Sequence, residues 1–324
     1  MKEIIITGQE ANQRLDKYLK KLLPNASGGF LYKMMRKKNI VLNKKKADGS
    51  ELLKTGDKIA IFFSDETYEN FRTDTAKVQK EMDELASLPM KGLQVVYEDA
   101  DILAANKPYN MLSQKAQPAD VSANEYLLGY LIRKKVVTLE NFRVFRPSVC
   151  NRLDRNTTGL LLMGKTLCGS QELSRMLRDR SAQKYYYAIV AGVVEQAGHL
   201  SGYLVKDEKN NTVSVSPVAQ GEESQRIETS YRPVRSGNGF TLLEVHLITG
   251  KTHQIRAHLA SIGHPIVGDF KYGSRRVNEE CRRKYQVHSQ LLHAKRFVFP
   301  DGREICAEEP AHFMDVLQIE GEKS

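Results

Sequence analysis

Short apolar segments recur from Leu93 onward, and each has the length of a strand rather than of a long helix. In the last of them, Leu243, Val245 and Leu247 alternate with polar residues, as in a half-buried strand. Some segments follow one another through turns, whereas residues 171–177 between two of them have helical spacing. The pattern predicts an α+β domain with a mixed, largely antiparallel β-sheet and flanking helices. The predicted strands are residues 94–97, 102–105, 159–163, 185–194 and 240–248.

The 324 residues leave room for a smaller domain beside this one. No apolar run approaches the roughly 20 residues needed to span a membrane, and residues 1–10 lack the features of a signal peptide. We therefore expect a cytoplasmic protein without membrane contact. The four cysteines contain no CxxC pair, which favours reduced, structural thiols.

Positive charge is concentrated at the start of the chain. The net charge is +10, and residues 1–64 hold fourteen Lys or Arg against six Asp or Glu, a local excess of +8. A concentrated positive surface attracts a polyanion through counterion release, and no lipidation signal or basic amphipathic helix favours a membrane instead. This indicates nucleic acid as the partner; the alternative is a lysine-rich face that is merely solvated.

The pattern of residues 1–64 predicts a small α/β module that binds nucleic acid, called the N-terminal module below. Two helical patterns, separated by a break at Gly28-Gly29, precede a basic turn at residues 43–49 and a strand at 58–63. We predict a linker at residues 65–90, the main domain at 91–315 and a tail at 316–324. Six cations are predicted to follow the phosphates of a nucleic acid and are called the basic patch: Arg36, Lys37, Lys38, Lys44, Lys45 and Lys46.

A polar run at residues 151–158 directly precedes apolar residues 160–163. Asp154 in this run lies between Arg152 and Arg155, and nearby positive charge favours the ionised form of a carboxyl group. Such a carboxylate suits a nucleophile or a general base. The alternative is a structural ion pair at a corner of the fold.

Residues 159–166 also match the phosphate-loop pattern GxxxxGK[ST]. A phosphate cradle needs an exposed loop whose amides converge on the anion, whereas four consecutive large apolar residues favour a buried strand. No apolar strand precedes Gly159. We therefore expect no nucleotide cofactor.

Residues 249–263 have helix signals at both ends, with Ile255, Leu259 and Ile262 on one face. His253 and Arg256 then share another face, where Arg256 can meet a carboxylate or a phosphate. His253 and His258 lie roughly 140° apart around a helix, which is a poor metal pair, and HExxH is absent. We therefore expect no metal site, and we expect these histidines either to have their hydrogen bonds satisfied within the protein or to face RNA.

Residues 183–190 contain three consecutive tyrosines in a predicted strand. Alternation sends Tyr186 to the face opposite Tyr185 and Tyr187, so the three rings cannot share one role. One ring is suited to stack on a displaced base, and the alternative for each is core packing.

Taken together, these segments resemble the RluA-type family of pseudouridine synthases over about residues 93–312. The family's His-Arg-Leu-Asp motif appears as residues 151–154, with Asn151 in place of the usual histidine. The N-terminal module resembles the RNA-binding domain named after ribosomal protein S-four, except that Gly28-Gly29 replaces more usual polar residues. The other matching stretches are residues 184–188, 250–258, 263–273 and 292–300.

The resemblance implies a pseudouridine synthase fold and the isomerisation of uridines in structured RNA. It implies that Asp154 attacks the uridine, that Arg256 pairs with Asp154 and orients it, and that Tyr186 stacks on the flipped base and helps remove a proton. Arg152, Arg155 and His253 would contact RNA. No cofactor or metal is implied, and we expect a monomer acting on large-subunit ribosomal RNA. Transfer RNA as the substrate and a non-catalytic RNA-binding or ribosome-assembly factor are the alternatives.

Overall fold

The computed structural model describes residues 1–207, 212–221 and 224–318. Most of the predicted tail, residues 319–324, lies outside the described residues. The described chain forms two sheets with helices around them, and the larger sheet is mixed but almost entirely antiparallel. The predicted α+β class is therefore confirmed. The domain boundaries at residues 64 and 90 stay a prediction.

The N-terminal module is a four-stranded antiparallel sheet, in the order β1-β4-β2-β3, with two helices. The two predicted helices and the break between them are confirmed, but the break lies at residues 23–27 rather than at Gly28-Gly29. The second helix begins at Gly28, because the Ser27 hydroxyl accepts the backbone N–H of Phe30 and caps the first turn. The elements are β1 Lys2–Ile5, α1 Leu15–Leu22, α2 Gly28–Arg36, β2 Ile40–Leu42, β3 Lys45–Lys46 and β4 Lys58–Ile61.

The segment for which we predicted a linker contains two helices, α3 (Asp65–Phe71) and α4 (Thr75–Ser87). Val78 and Met82 of α4 are four residues apart, so they lie on one face, and both are buried in the main hydrophobic cluster. The acidic and polar residues of α4 occupy its other faces. Helix α4 is therefore packed on the main domain, whereas Tyr68 of α3 is buried in the hydrophobic cluster of the N-terminal module.

In the described part of the chain, the larger sheet has the order β11-β10-β12-β13-β9-β14-β8-β6-β5, with β15 beside β14 and β7 beside β8. Its strands are β5 Gln94–Glu98, β6 Ile102–Lys107, β7 Ser148–Val149, β8 Thr158–Gly164, β9 Gln183–Ala191, β10 Gly198–Asp207, β11 Thr212–Ser216, β12 Gln225–Gly237, β13 Phe240–Leu247, β14 Leu292–Val298 and β15 Glu304–Cys306. The helices beside it are α5 Ala123–Arg133, α6 Leu139–Val144, α7 Leu167–Asp179, α8 Gln254–Ser261 and α9 Arg275–Tyr285, followed by a 3-10 helix, Ala311–Leu317.

Strands β8 and β14 pair in parallel, and this pairing begins where the polar run, residues 151–158, ends. Gly159 pairs with Ala294 at this point and has a φ of 106°. A Cβ atom on Gly159 would lie 2.3 Å from the Ala294 carbonyl oxygen, so only glycine permits this approach. The polar run consequently enters the centre of the sheet at a defined position.

Residues 159–166 do not form a phosphate-binding loop. Residues 159–164 belong to β8, in which every residue is buried. Lys165 is buried too, and its ammonium group pairs with the Glu98 carboxylate at 2.8 Å. The match to the phosphate-loop pattern is therefore a coincidence of letters, as the run of large apolar residues indicated.

Candidate active site

The polar loop, residues 150–157, connects β7 to β8 and is held to its surroundings at several points. The side-chain amide of Asn151 donates to the Leu160 carbonyl at 3.1 Å and accepts the Leu162 N–H at 2.7 Å. The Ser113 hydroxyl bonds both backbone groups of Leu153. Asn151 therefore anchors the loop to β8, and the residues on either side of Asp154 have little freedom.

Lys107, the last residue of β6, lies fully buried next to this loop. Its ammonium group donates to the carbonyl oxygens of Pro108, Met111 and Arg155, at 3.1, 2.9 and 3.0 Å. Burial lowers the pKa of Lys107 to about 7, and the charge of Asp154 opposes that shift. Sequence reasoning missed Lys107, because its burial depends on tertiary structure.

Asp154 and Arg256 are in direct contact, although 102 residues separate them. The Arg256 Nη1 donates to Asp154 Oδ2 at 2.9 Å, and the Asp154 side chain is 30% exposed whereas that of Arg256 is 7% exposed. The carboxylate thus has a fixed cationic partner and remains open to solvent. Both residues were predicted as site residues, and the structure brings them together.

Asp269 holds the other side of the Arg256 guanidinium. Nε and Nη2 of Arg256 donate to its two carboxylate oxygens at 2.7 and 2.9 Å, and Asp269 is fully buried. Burial by itself lowers the pKa of Arg256, but the hydrogen bonds and negative charges of Asp269 and Asp154 outweigh it, so the pKa is raised. A bidentate pair fixes the plane of the guanidinium, so the third N–H is aimed at Asp154. Asp269 lay within the matching stretch 263–273 but was not predicted to act on Arg256.

His253 also reaches Asp154, but not from within a helix. It precedes α8 in a left-handed conformation with φ 56°, so the expectation of a shared helical face with Arg256 was wrong. Its Nε2 lies 3.7 Å from Asp154 Oδ2, and its Nδ1 lies 3.0 Å from the Tyr272 hydroxyl. Burial lowers the pKa of His253, although the negative charge of Asp154 opposes this shift. The lowered pKa favours a neutral imidazole ring at pH 7.

Tyr186 on β9 lies on the same cavity as Asp154. It is buried, whereas Tyr185 and Tyr187 on the other face are only partly buried, as the alternation predicted. Burial, with a contribution from Asp154, raises the pKa of Tyr186 far above its ordinary value. Its hydroxyl therefore stays protonated at neutral pH, which suits a stacking surface better than a base.

These side chains line one cavity of 640 Å³, called the main cavity. Arg152 and Arg155 are exposed on it, and neither makes an ion pair within the described residues. The expectation that these two arginines are the charge partners of the Asp154 carboxylate was wrong, because Arg256 takes that role. Five lining cations face the single acidic group Asp154: Arg152, Arg155, Lys184, Lys251 and Arg256.

The basic patch lies apart from the main cavity. All six of its residues are exposed, at the end of α2 and on β3 and the turn before it. That turn has positive φ at Asn43 and Lys44, typical of a tight two-residue hairpin, and it projects its lysines outward. None of the six forms a salt bridge within residues that the structure describes.

Across residues 1–207, 212–221 and 224–318, no group of three or more His, Cys, Asp or Glu side chains is arranged to hold a metal ion. The same residues include no helix long and apolar enough to cross a membrane. The Asp154 carboxylate, held by Arg256 and open to the main cavity, can act as a nucleophile or as a general base.

Comparisons with known proteins show the family of the chain. The family model described as RNA pseudouridylate synthase matches residues 101–261. The chain is 31% identical to ribosomal large subunit pseudouridine synthase C of Vibrio cholerae over 95% of this chain and 93% of that protein. It is 28% identical to the protein of the same name from Rickettsia felis, over 96% and 98%. The structure of human RNA pseudouridylate synthase domain containing 4 shares the fold, with a TM-score of 0.58 at 22% identity over 74% of this chain and 97% of that one.

Proposed function

The chain belongs to the RNA pseudouridylate synthase family, and from that premise we propose that it isomerises uridines of large-subunit ribosomal RNA with Asp154 as the nucleophile. The observation that carries the proposal is the Asp154 carboxylate, partly exposed in a cation-lined cavity and bonded to Arg256 at 2.9 Å. The names of the relatives from Vibrio cholerae and Rickettsia felis support ribosomal RNA as the substrate.

In the proposed reaction, Asp154 attacks the uridine, at the sugar or at the base, as the bond between the sugar and the ring nitrogen breaks. The freed base turns and rejoins the sugar through a ring carbon, which loses a proton while the nitrogen gains one. The bond to Asp154 breaks in the course of this rearrangement, which restores the carboxylate. The product has the same atoms as the substrate, so the reaction requires no oxidant and no energy source. Catalysis then depends on holding the base and the carboxylate in position.

Arg256 and Tyr186 have distinct tasks in this proposal. Arg256, fixed by Asp269, keeps the Asp154 carboxylate aimed, because a guanidinium bonded on both sides cannot turn away. Tyr186 offers its ring as a stacking surface for the uracil after it leaves the RNA helix. Its protonated hydroxyl makes proton removal the less favoured part of its role.

RNA binding is divided between two surfaces. Arg152, Arg155 and His253 contact the nucleotides at the main cavity, and the basic patch binds phosphates farther along the RNA. The N-terminal module would then work as an RNA-binding domain of the S-four type, as its sequence resemblance implies. We also propose a monomer that acts in the cytoplasm.

Mapping pseudouridine in unmodified RNA tests the substrate. Transcripts of large-subunit ribosomal RNA and a mixture of transfer RNAs are incubated separately with the protein, and carbodiimide-probed primer extension locates the product. We expect product at discrete uridines of the ribosomal transcript. Product in the transfer RNAs alone would contradict the ribosomal assignment, and product in neither would contradict the proposed activity.

A further inference from the structure

A second cavity, of 490 Å³, adjoins the main cavity. Leu112 and Arg155 line both cavities, so the residue that follows Asp154 in the chain lies on their common boundary. The volume falls within the roughly 300–1,000 Å³ of typical sites for small organic ligands. Apart from Arg155, its lining residues have no task in the proposed chemistry.

The wall between the cavities is rigid. Pro108, Met111 and Arg155, which all line the second cavity, are the residues whose carbonyl oxygens accept hydrogen bonds from the buried Lys107. The Met111 N–H also donates to the Arg155 carbonyl at 3.1 Å. The backbone around the second cavity and the loop that bears Asp154 are thus one hydrogen-bonded unit, and a ligand in one space has a fixed relation to the other.

The lining chemistry fits part of a nucleic-acid strand. Tyr109 is 47% exposed, a large fraction for an aromatic ring on a cavity wall. Lys91 and Arg155 are exposed and make no ion pair within the described chain. Proteins bind single-stranded nucleic acid with aromatic rings, on which the bases stack, and with nearby cations, which contact the phosphates.

The acidic residue of the second cavity does not oppose this interpretation. Asp120 Oδ2 accepts the backbone N–H groups of Ala116 and Gln117, at 3.0 and 2.7 Å. The carboxylate therefore already stabilises a turn in its own loop. The remaining charges on the cavity wall, Lys91 and Arg155, are both positive.

We propose that the second cavity binds the base of an unpaired nucleotide adjacent to the target uridine, stacked on Tyr109, with its phosphate at Arg155 and Lys91. The inference rests on the proposed function, since the uridine in the main cavity supplies the neighbouring nucleotide. Because Arg155 lies on the boundary, a single phosphodiester passing it can join one nucleotide in each cavity. Target selection then depends on two extruded nucleotides rather than one.

A double-mutant cycle, in which Tyr109 is replaced in the protein and a base is removed from the RNA, tests the proposed contact between the two. Short RNA hairpins that span a mapped target uridine are made intact or with an abasic site one nucleotide before or after the target. We expect one of the two abasic sites to lower kcat/KM of the natural enzyme by roughly 5- to 150-fold, the range for loss of one stacked base. Tyr109→Ala should lose a similar factor on intact RNA and respond less than about twofold to that abasic site.

Tyr109→Phe is the matched control, because it keeps the ring and should behave as the natural enzyme does. Thermal unfolding of Tyr109→Ala should be unchanged, since the side chain is half exposed. The inference is overturned if neither abasic site slows the natural enzyme, or if Tyr109→Ala stays as sensitive to the abasic site as the natural enzyme. Absence of product with the natural enzyme on intact RNA would instead overturn the proposed function, and this inference with it.

Discussion

The Arg256 guanidinium in the main cavity and the cations of the basic patch differ in burial and in their partners. In the cavity, Arg256 is nearly buried and bonds two carboxylates, each through defined atoms. In the basic patch, six cations are exposed and have no acidic partner within the described residues. The cavity uses charge to aim one atom, whereas the patch uses charge to attract a polyanion from any direction. The first function depends on geometry, and the second depends on the number of charges and on salt.

Replacing Asp154 should give the largest effect. Asp154→Asn keeps the shape of the side chain and leaves the pair of Arg256 with Asp269 intact, but it removes the nucleophile. We expect a loss of about four orders of magnitude or more in single-turnover pseudouridine formation. RNA affinity in filter binding should change by less than about threefold. Asp179→Asn, at an exposed ion pair on α7, is the control and should retain full activity; an active Asp154→Asn would remove Asp154 from the mechanism.

Arg256→Met should reduce both activity and stability. It leaves Asp269 fully buried without its partner, so we expect a fall of about 3–5 kcal/mol in the free energy of unfolding, measured in urea. Activity should fall by roughly 10²–10³-fold, because Asp154 is no longer aimed. Arg232→Met removes an exposed cation from Glu244, which keeps Arg296 at 3.6 Å, and should cost less than about 1 kcal/mol. Equal stability losses in the two variants would show that burial does not distinguish these pairs.

Two replacements of Tyr186 distinguish a stacking role of its ring from a proton-transfer role of its hydroxyl. Tyr186→Leu should slow single-turnover product formation by roughly 10- to 100-fold through loss of the stacking ring. Tyr186→Phe keeps the ring and should lose at most about tenfold, because the hydroxyl remains protonated at neutral pH. If the phenylalanine variant were as slow as the leucine variant, the hydroxyl rather than the ring would be the functional group.

The basic patch should give the smallest effect per residue. We expect the triple change of Lys44, Lys45 and Lys46 to Gln to weaken RNA binding by roughly tenfold at low salt and to reduce its salt dependence. The single-turnover rate at saturating RNA should be unchanged. The control changes Lys77, Lys80 and Lys135, exposed lysines outside the patch, to Gln. Equal effects of the two triple changes would show that net charge, rather than the patch, governs binding.

Local patterns in the sequence predicted the fold class, and the resemblance to a known family implied the Asp154–Arg256 pair. The sequence predicted less well where tertiary contacts decide. Val78 and Met82 have helical spacing within the predicted linker, but two apolar residues alone do not indicate a packed helix. Their burial in the main hydrophobic cluster is visible only in the structure. Ser27 could have indicated that α2 begins at Gly28, since serine is a preferred N-cap.

The residues missed in the site share one property. Asp269 and Lys107 are fully buried charged side chains, and charge alone predicts exposure. Asp269 stays buried because Arg256 and backbone amides bind it, and Lys107 because three carbonyl oxygens do. Their partners are distant in sequence or lie in irregular loops, so no local pattern reveals them.

The position of the target uridine in a complex tests the central claim most directly. A crystal structure of Asp154→Asn with a hairpin containing a mapped target should show the uridine out of the RNA helix and stacked on Tyr186. A sugar or base carbon should lie about 3–3.5 Å from the residue 154 side chain, the separation expected of reacting atoms. A target uridine still paired within the helix, with the main cavity empty, would contradict the claim.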